Sequence, residues 1–192
     1  GGIIGLYSLR WRVAYAFLTE VPLRKGTECA LNRGLAPYGY TCKCPPHQVS
    51  GLGAAIVYAS HTDITDFRSL ADGRVVTAAG ALPSGDDHMR TPLVAAYCPQ
   101  GGTNPIHART THFRTMEAEV SDAVLSILDD SRVAGRPLPL GTDANATAPM
   151  RDTWSTHAAP RTDSCITRWT QAGLCDTFRL LHPELQVATH YS

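Results

Sequence analysis

Two stretches of this chain are apolar almost without a break: VAYAFLT at 13–19 and PLVAAYC at 92–98. A strand with one wet face alternates apolar and polar residues, because successive side chains point to opposite sides. An unbroken run of this length reads instead as a strand covered on both faces. That requirement admits only a layered arrangement. GLGAAIVYAS at 51–60 and RVVTAA at 74–79 read as two further strands, joined by a loop that holds His61, Asp63 and Asp66. PSGDD at 83–87 reads as a turn, and 22–50, rich in Pro, Gly and Cys, as irregular.

A helix is expected to supply one covering layer. Asn104 and Pro105 offer an N-cap and a proline at the first helical position. Behind them Phe113, Met116, Val120, Ala123, Val124, Ile127 and Leu128 recur at three- and four-residue spacing. That is an amphipathic helix of about five or six turns with Phe113 and Met116 in the core. The loop RVAGRP leads into a short strand at 138–142, and a weaker helix is expected near 163–172. No repeat or linker interrupts the 192 residues, so the expectation is one domain, 1–192, of α+β or layered α/β type.

Seventeen basic and seventeen acidic residues give no net charge, which excludes a strongly basic, sequence-blind nucleic-acid binder. No apolar run is long enough to cross a membrane as a helix. GGIIGLYSLRWRV has no basic segment followed by a long apolar block, so no signal peptide is expected; the absence of an initial Met suggests a fragment. The six cysteines are therefore expected to be reduced and mostly buried. CKCPPH, with Cys42, Cys44 and His47, lacks C-x-x-C spacing and a clear fourth ligand, so zinc is not expected there.

Chemistry gathers at the ends of the apolar strands. In LPLGTDANAT, Asp143 and Asn145 stand two residues apart. On a strand they would share a face at about 7 Å, while Asp and Asn beside glycine fit a turn equally well. Glu20 closes the first apolar run, and Tyr97 lies in VAAYCPQGG. Two carboxylates, a phenol and an amide over a packed sheet would suit a hard divalent cation, which prefers oxygen ligands. Each also has a structural reading, Glu20 as a strand terminus and Tyr97 as a half-buried core aromatic.

The ordered set FLTEVPL, GLGAAIVYAS, LVAAYCPQGG, LPLGTDANAT, GLCDTFRLLHPE and ATHYS resembles the endonuclease/exonuclease/phosphatase superfamily, and looks closest to LINE-type retrotransposon endonuclease domains. The resemblance implies a DNase I-like four-layer sandwich, two packed β-sheets flanked by helices. It implies a Mg²⁺-dependent phosphodiester hydrolase, with Mn²⁺ as a substitute, acting on nucleic acid, DNA before RNA. It implies no membrane and no obligate protein partner, and an intracellular setting, nuclear if the chain derives from a retroelement. By the same resemblance Glu20 would bind the metal and Asp143 would orient or deprotonate the attacking water. Asn145 would hold a phosphate oxygen, Tyr97 would hydrogen-bond the developing pentacovalent phosphate, and Gln100 would be a secondary phosphate contact. Asp176 and Arg179 would form a buried structural pair.

The departures from that pattern shape the expectation further. The family opens on a strand whose Asn joins the metal site; here Gly2 takes that place, with 13 residues between Leu6 and Glu20. The family ends on S-D-H, whereas this sequence stops at Ser192 after THYS, and none of its eight histidines lies in such a motif. The expectation is an incomplete domain in degenerate or partial form. Two alternatives accompany the nuclease: an inactive remnant of the same fold, or a phosphatase-branch member acting on inositol phosphates or phospholipids.

Overall fold

The computed structural model describes residues 10, 12–46, 51–82, 90–98, 111–144 and 164–182. Within these the order is β1 (Tyr15–Pro22), α1 (Thr27–Leu35), a 3₁₀ turn (Ala36–Tyr38), β2 (Tyr40–Lys43), β3 (Leu52–Ala59), β4 (Ile64–Leu70), a second 3₁₀ turn (Ala71–Gly73), β5 (Val75–Ala81), β6 (Arg90–Tyr97), α2 (Thr111–Val133), β7 (Leu140–Asp143), α3 (Cys165–Gln171) and α4 (Thr177–Leu181). One sheet has the order β1-β3-β2, all antiparallel. The other runs β4-β5-β6-β7, with only the β6–β7 pair parallel.

Side-chain alternation on the central strands β3 and β6 explains the apolar runs at 51–60 and 92–98. By contrast β1, which holds most of VAYAFLT, is an edge strand half-buried along 15–19 rather than covered on both faces. On β3, Ala54 and Ile56 meet Val76, Ala78, Leu93 and Ala95 between the sheets. Its other face, Ala55, Val57 and Ala59, packs with Leu35 and Leu31 of α1. On β6, Leu93, Ala95 and Tyr97 face the first sheet, whereas Val94, Ala96 and Cys98 pack on Val120 and Val124 of α2 and Trp169 of α3. The layers are therefore helix, sheet, sheet, helix, and the expected four-layer sandwich is found. Ser164 caps α3 by accepting from the Thr167 N–H at 3.3 Å, and the Trp169 indole donates to the Ser121 carbonyl at 3.4 Å, fixing α3 against α2.

Three further expectations need correction. Residues 22–50 are not irregular: they contain α1 and β2. Beside the apolar contacts of Leu31 and Leu35 with Tyr40 and Cys42, side-chain to backbone hydrogen bonds join this pair, and these periodicity cannot reveal. Asn32 donates to the Cys42 carbonyl at 3.1 Å and accepts from the Cys42 N–H at 2.6 Å, and one turn earlier Glu28 accepts from the Cys44 N–H at 2.8 Å. The loop expected after β3 holds an edge strand, β4, whose register shifts between Thr65 and Arg68. That bulge lets Ile64 and Phe67, three apart in sequence, both pack into the inter-sheet core, which hides the two-residue period. Asp176, expected in a buried pair with Arg179, is instead exposed, directly before the short helix α4; the Arg179 side chain lies outside the described residues.

The helix expected from Asn104 is described from Thr111 onwards; Asn104 and Pro105 lie outside the described residues. Cys42, Cys44, Cys98 and Cys165 are buried, whereas Cys29 and Cys175 are exposed. His47 of CKCPPH lies outside the described residues, as do residues 83–87.

Candidate active site

A row of side chains crosses one end of the second sheet. Val75 pairs with Ala96 on neighbouring strands, and one step on the Tyr97 N–H donates to the Arg74 carbonyl at 2.8 Å. Tyr97 in turn pairs with Asp143, and the Cys98 N–H donates to the Asp143 carbonyl at 2.9 Å. Residues opposite one another on adjacent strands point to the same face. Tyr97 and Asp143 therefore share the face that Tyr97 presents to the first sheet, while Arg74, at the end of the 3₁₀ turn Ala71–Gly73, meets Tyr97 through its carbonyl.

Glu20 reaches this row from the other sheet because β1 is bulged. Leu18 pairs with Ala55 and Val21 with Gly53, so Thr19 and Glu20 together oppose the single residue Ala54. Ala54 belongs to the inter-sheet core, which sets the side of the sheet on which the bulge lies. Glu20 takes a left-handed backbone, φ 55°, a conformation that costs a residue with a side chain roughly 1–2 kcal/mol. Bulges of this kind re-aim a side chain at the edge of a site. Opposite, β7 comes close to β1 because Gly141 has no side chain where the Phe17 ring lies.

The electrostatics of Tyr97 report the convergence. Its phenol is raised above the ordinary tyrosine value, first by burial, then by the Glu20 and Asp143 carboxylates, with the Arg74 guanidinium opposing them. One hydroxyl thus feels carboxylates from both sheets. Tyr97 is buried, Asp143 half-buried and Glu20 exposed, so the group opens to solvent on the Glu20 side. Arg74 is only 9% exposed, and among the described residues its Nε has no hydrogen-bond partner. Its Nη1 lies 3.5 Å from the Ala71 carbonyl.

The other charged loop residues are elsewhere. Asp63 pairs with Arg90 at 2.6 Å, at the start of β6. Tyr97 ends that strand, so the two positions stand about 23 Å apart at 3.3 Å per residue. Asn145 and Gln100, expected as phosphate contacts, lie outside the described residues. Arg74 was not anticipated from sequence; it opens a run that reads simply as a strand, and only the fold brings it beside Tyr97, whose N–H bonds its carbonyl.

The donor chemistry fits a hard cation. Mg²⁺ is commonly held by one or two carboxylates with water completing its shell, and Glu20 and Asp143 are oxygen donors with a common neighbour in Tyr97. Among the described residues no cluster of three or more His, Cys, Asp or Glu could hold a metal.

No family model and no curated protein sequence matches the chain. Solved structures do. NExo, a 3' phosphatase from Neisseria bound to product DNA hairpin, superimposes with a TM-score of 0.68 at 19% identity, over 95% of this chain and 70% of that one. A mannosyl-6-phosphatase from Bacteroides thetaiotaomicron gives 0.60 at 13% identity, over 93% and 64% of the two chains. An endonuclease/exonuclease/phosphatase family protein from the same organism gives 0.51 at 13% identity, over 76% and 54%. The chain has the endonuclease/exonuclease/phosphatase fold. At these identities the likeness is one of architecture, and in this chain that architecture brings the bulge of β1 over the ends of β6 and β7. No described helix is long and apolar enough to cross a membrane.

Proposed function

We propose that this chain is a phosphoester hydrolase dependent on Mg²⁺ or Mn²⁺, acting on DNA as an endonuclease of the retroelement type. What supports the reading is that Glu20 and Asp143, carried on different sheets, both act electrostatically on the phenol of Tyr97, a buried residue paired with Asp143. In this reading Glu20 holds the metal at the exposed side of the group. A bound divalent cation would supply positive charge to the phosphate and its leaving oxygen. Asp143, half-buried, orients a water molecule and accepts its proton. Tyr97 is a donor: a phenol is protonated at neutral pH, and this one is raised further above the ordinary value, so it can hydrogen-bond a phosphate oxygen as charge builds there. Asn145 and Gln100 are further phosphate contacts in the same reading.

A second reading is favoured by the neighbours. Two solved structures that superimpose over more than nine-tenths of this chain are described as phosphatases, and one of these is bound to product DNA. A phosphomonoesterase acting at a DNA 3' end would use the same residues, with a terminal phosphate in place of an internal diester. Inositol phosphates and phospholipids are the small-molecule form of this alternative.

Three substrates separate the readings: supercoiled plasmid, a 3'-phosphorylated oligonucleotide and inositol phosphates, each with Mg²⁺ or Mn²⁺. Nicking supports the endonuclease, release of inorganic phosphate from the oligonucleotide supports the phosphatase, and Asp143→Ala must abolish either. Turnover that survives Asp143→Ala would remove the site assignment.

A further inference from the structure

We propose that Arg74 is an anion-binding residue of this site, whose buried guanidinium takes a non-bridging oxygen of the substrate's phosphoryl group. The inference deepens the hydrolase reading and rests on it. A guanidinium carries five N–H donors and stays charged at any working pH. Burying it without partners is costly, so natural structures pair such groups with carboxylates or anionic ligands. Arg74 is more than nine-tenths buried, yet among the described residues no carboxylate lies within ion-pair distance of it. Its Nε is unfilled among those residues, and its one hydrogen bond there, from Nη1 to the Ala71 carbonyl, is at the 3.5 Å limit.

The backbone supplies the neighbourhood. Arg74 follows the 3₁₀ turn Ala71–Gly73 and directly precedes β5, the Tyr97 N–H donates to its carbonyl at 2.8 Å, and Tyr97 pairs with Asp143 across β6 and β7. The guanidinium is close enough to the Tyr97 phenol to favour its ionised form, against the two carboxylates. The row thus presents, in order, a cation with spare donors, a neutral hydroxyl donor and a carboxylate. A phosphoryl group has oxygens to fill the first two, while the carboxylate faces the water that attacks it. A purely structural arginine at the end of a strand would have its donors spent on backbone carbonyls, and the Nε of this one is not.

Internal diesters and terminal monoesters share the phosphoryl anion, so inorganic phosphate is the first probe. Titration of the 192-residue chain with phosphate, followed calorimetrically, is expected to show at least about a tenfold loss of affinity in Arg74→Gln. Arg74→Lys is expected to fall between, since it restores the charge but not the planar fork. Because either variant can be poorly folded, the ¹⁵Nε–H resonance of Arg74 is read in the wild-type protein as well, assigned by its loss in Arg74→Lys; phosphate should shift it. Two arms then distinguish the source. An oligonucleotide carrying a 3'-phosphate is compared with the same oligonucleotide lacking it: an Arg74-dependent preference for the first marks a terminal monoester, and equal Arg74-dependent binding of both marks an internal diester. A folded Arg74→Gln protein with wild-type phosphate affinity, or an Nε–H resonance indifferent to phosphate, overturns the proposal and leaves the roles of Glu20, Tyr97 and Asp143 standing. A wild-type chain with no affinity for phosphate and no hydrolysis of any phosphoester overturns both.

Discussion

Replacing Gly141 by alanine should loosen the joint that holds the two carboxylates together. A Cβ built on Gly141 lies 2.5 Å from both Cγ and Cδ2 of Phe17, and meets the Phe17 Cβ as well. Carbon atoms in good contact sit about 3.5–4.0 Å apart, so β7 and β1 would have to separate by about 1 Å or the Phe17 ring would have to leave its position. Overpacking of this size costs about 1–3 kcal/mol. Alanine returns about 0.5–1 kcal/mol, because glycine is the poorer strand residue. The net expectation is a loss of about 0.5–2 kcal/mol, or a few degrees in melting temperature for a chain of this length. Urea titration of wild type, Gly141→Ala, Phe17→Leu and the double variant forms a complete cycle. Phe17→Leu alone should also destabilise, by leaving a void, yet the two changes together should cost less than their sum. Mg²⁺-dependent activity should fall in Gly141→Ala by more than its stability loss explains, since Glu20 rides on β1 and Asp143 on β7. A neutral or stabilising Gly141→Ala, or strictly additive changes, would refute the claim that this contact sets the distance between the strands.

Glu20→Asn should leave stability unchanged or raise it by up to about 1 kcal/mol, because asparagine tolerates a left-handed backbone better, while metal affinity falls; thermal melts with and without Mn²⁺ check both halves. Asn32→Ala should cost about 1–3 kcal/mol in urea titration, since it removes both hydrogen bonds that hold Cys42 to α1. Tyr15, Tyr58 and Tyr97 are all raised above the ordinary tyrosine value, chiefly by burial. The folded chain therefore keeps protons that the unfolded chain loses above about pH 10, and stability must decline as pH rises from there. The melting temperature of Tyr97→Phe should fall less between pH 8 and pH 11 than that of the wild type; an equal or greater fall would contradict the cause assigned to the shift.

What the sequence disclosed follows from which forces hold each part. Residues 51–60 and 92–98 were legible because β3 and β6 are buried on both faces, and continuous burial leaves an unbroken apolar signature. The long helix was legible because Val120, Val124 and Leu128 form one apolar stripe. α1 escaped notice because it is short, buries only Leu35, and is further tied to β2 through Asn32 and Glu28. β4 escaped because a bulge broke its period. Within the candidate site, Glu20, Tyr97 and Asp143 stood at strand ends and could be named from sequence. The bulge that turns Glu20 and the non-local contact that brings Arg74 to Tyr97 are properties of the assembled sheets, which no local pattern encodes.

The most direct test of the central claim, that Glu20, Tyr97 and Asp143 form one metal-dependent site, is paramagnetic broadening of backbone amide resonances by Mn²⁺. The amides of Tyr97, Cys98 and Asp143 should broaden first and together, while those near Asp63 and Arg90, about 23 Å away along β6, stay sharp. Glu20→Gln should abolish the effect at the same Mn²⁺ concentration. Broadening centred on Asp63 and Arg90, or on Cys42 and Cys44, or broadening at Tyr97 that persists in Glu20→Gln, would contradict the account.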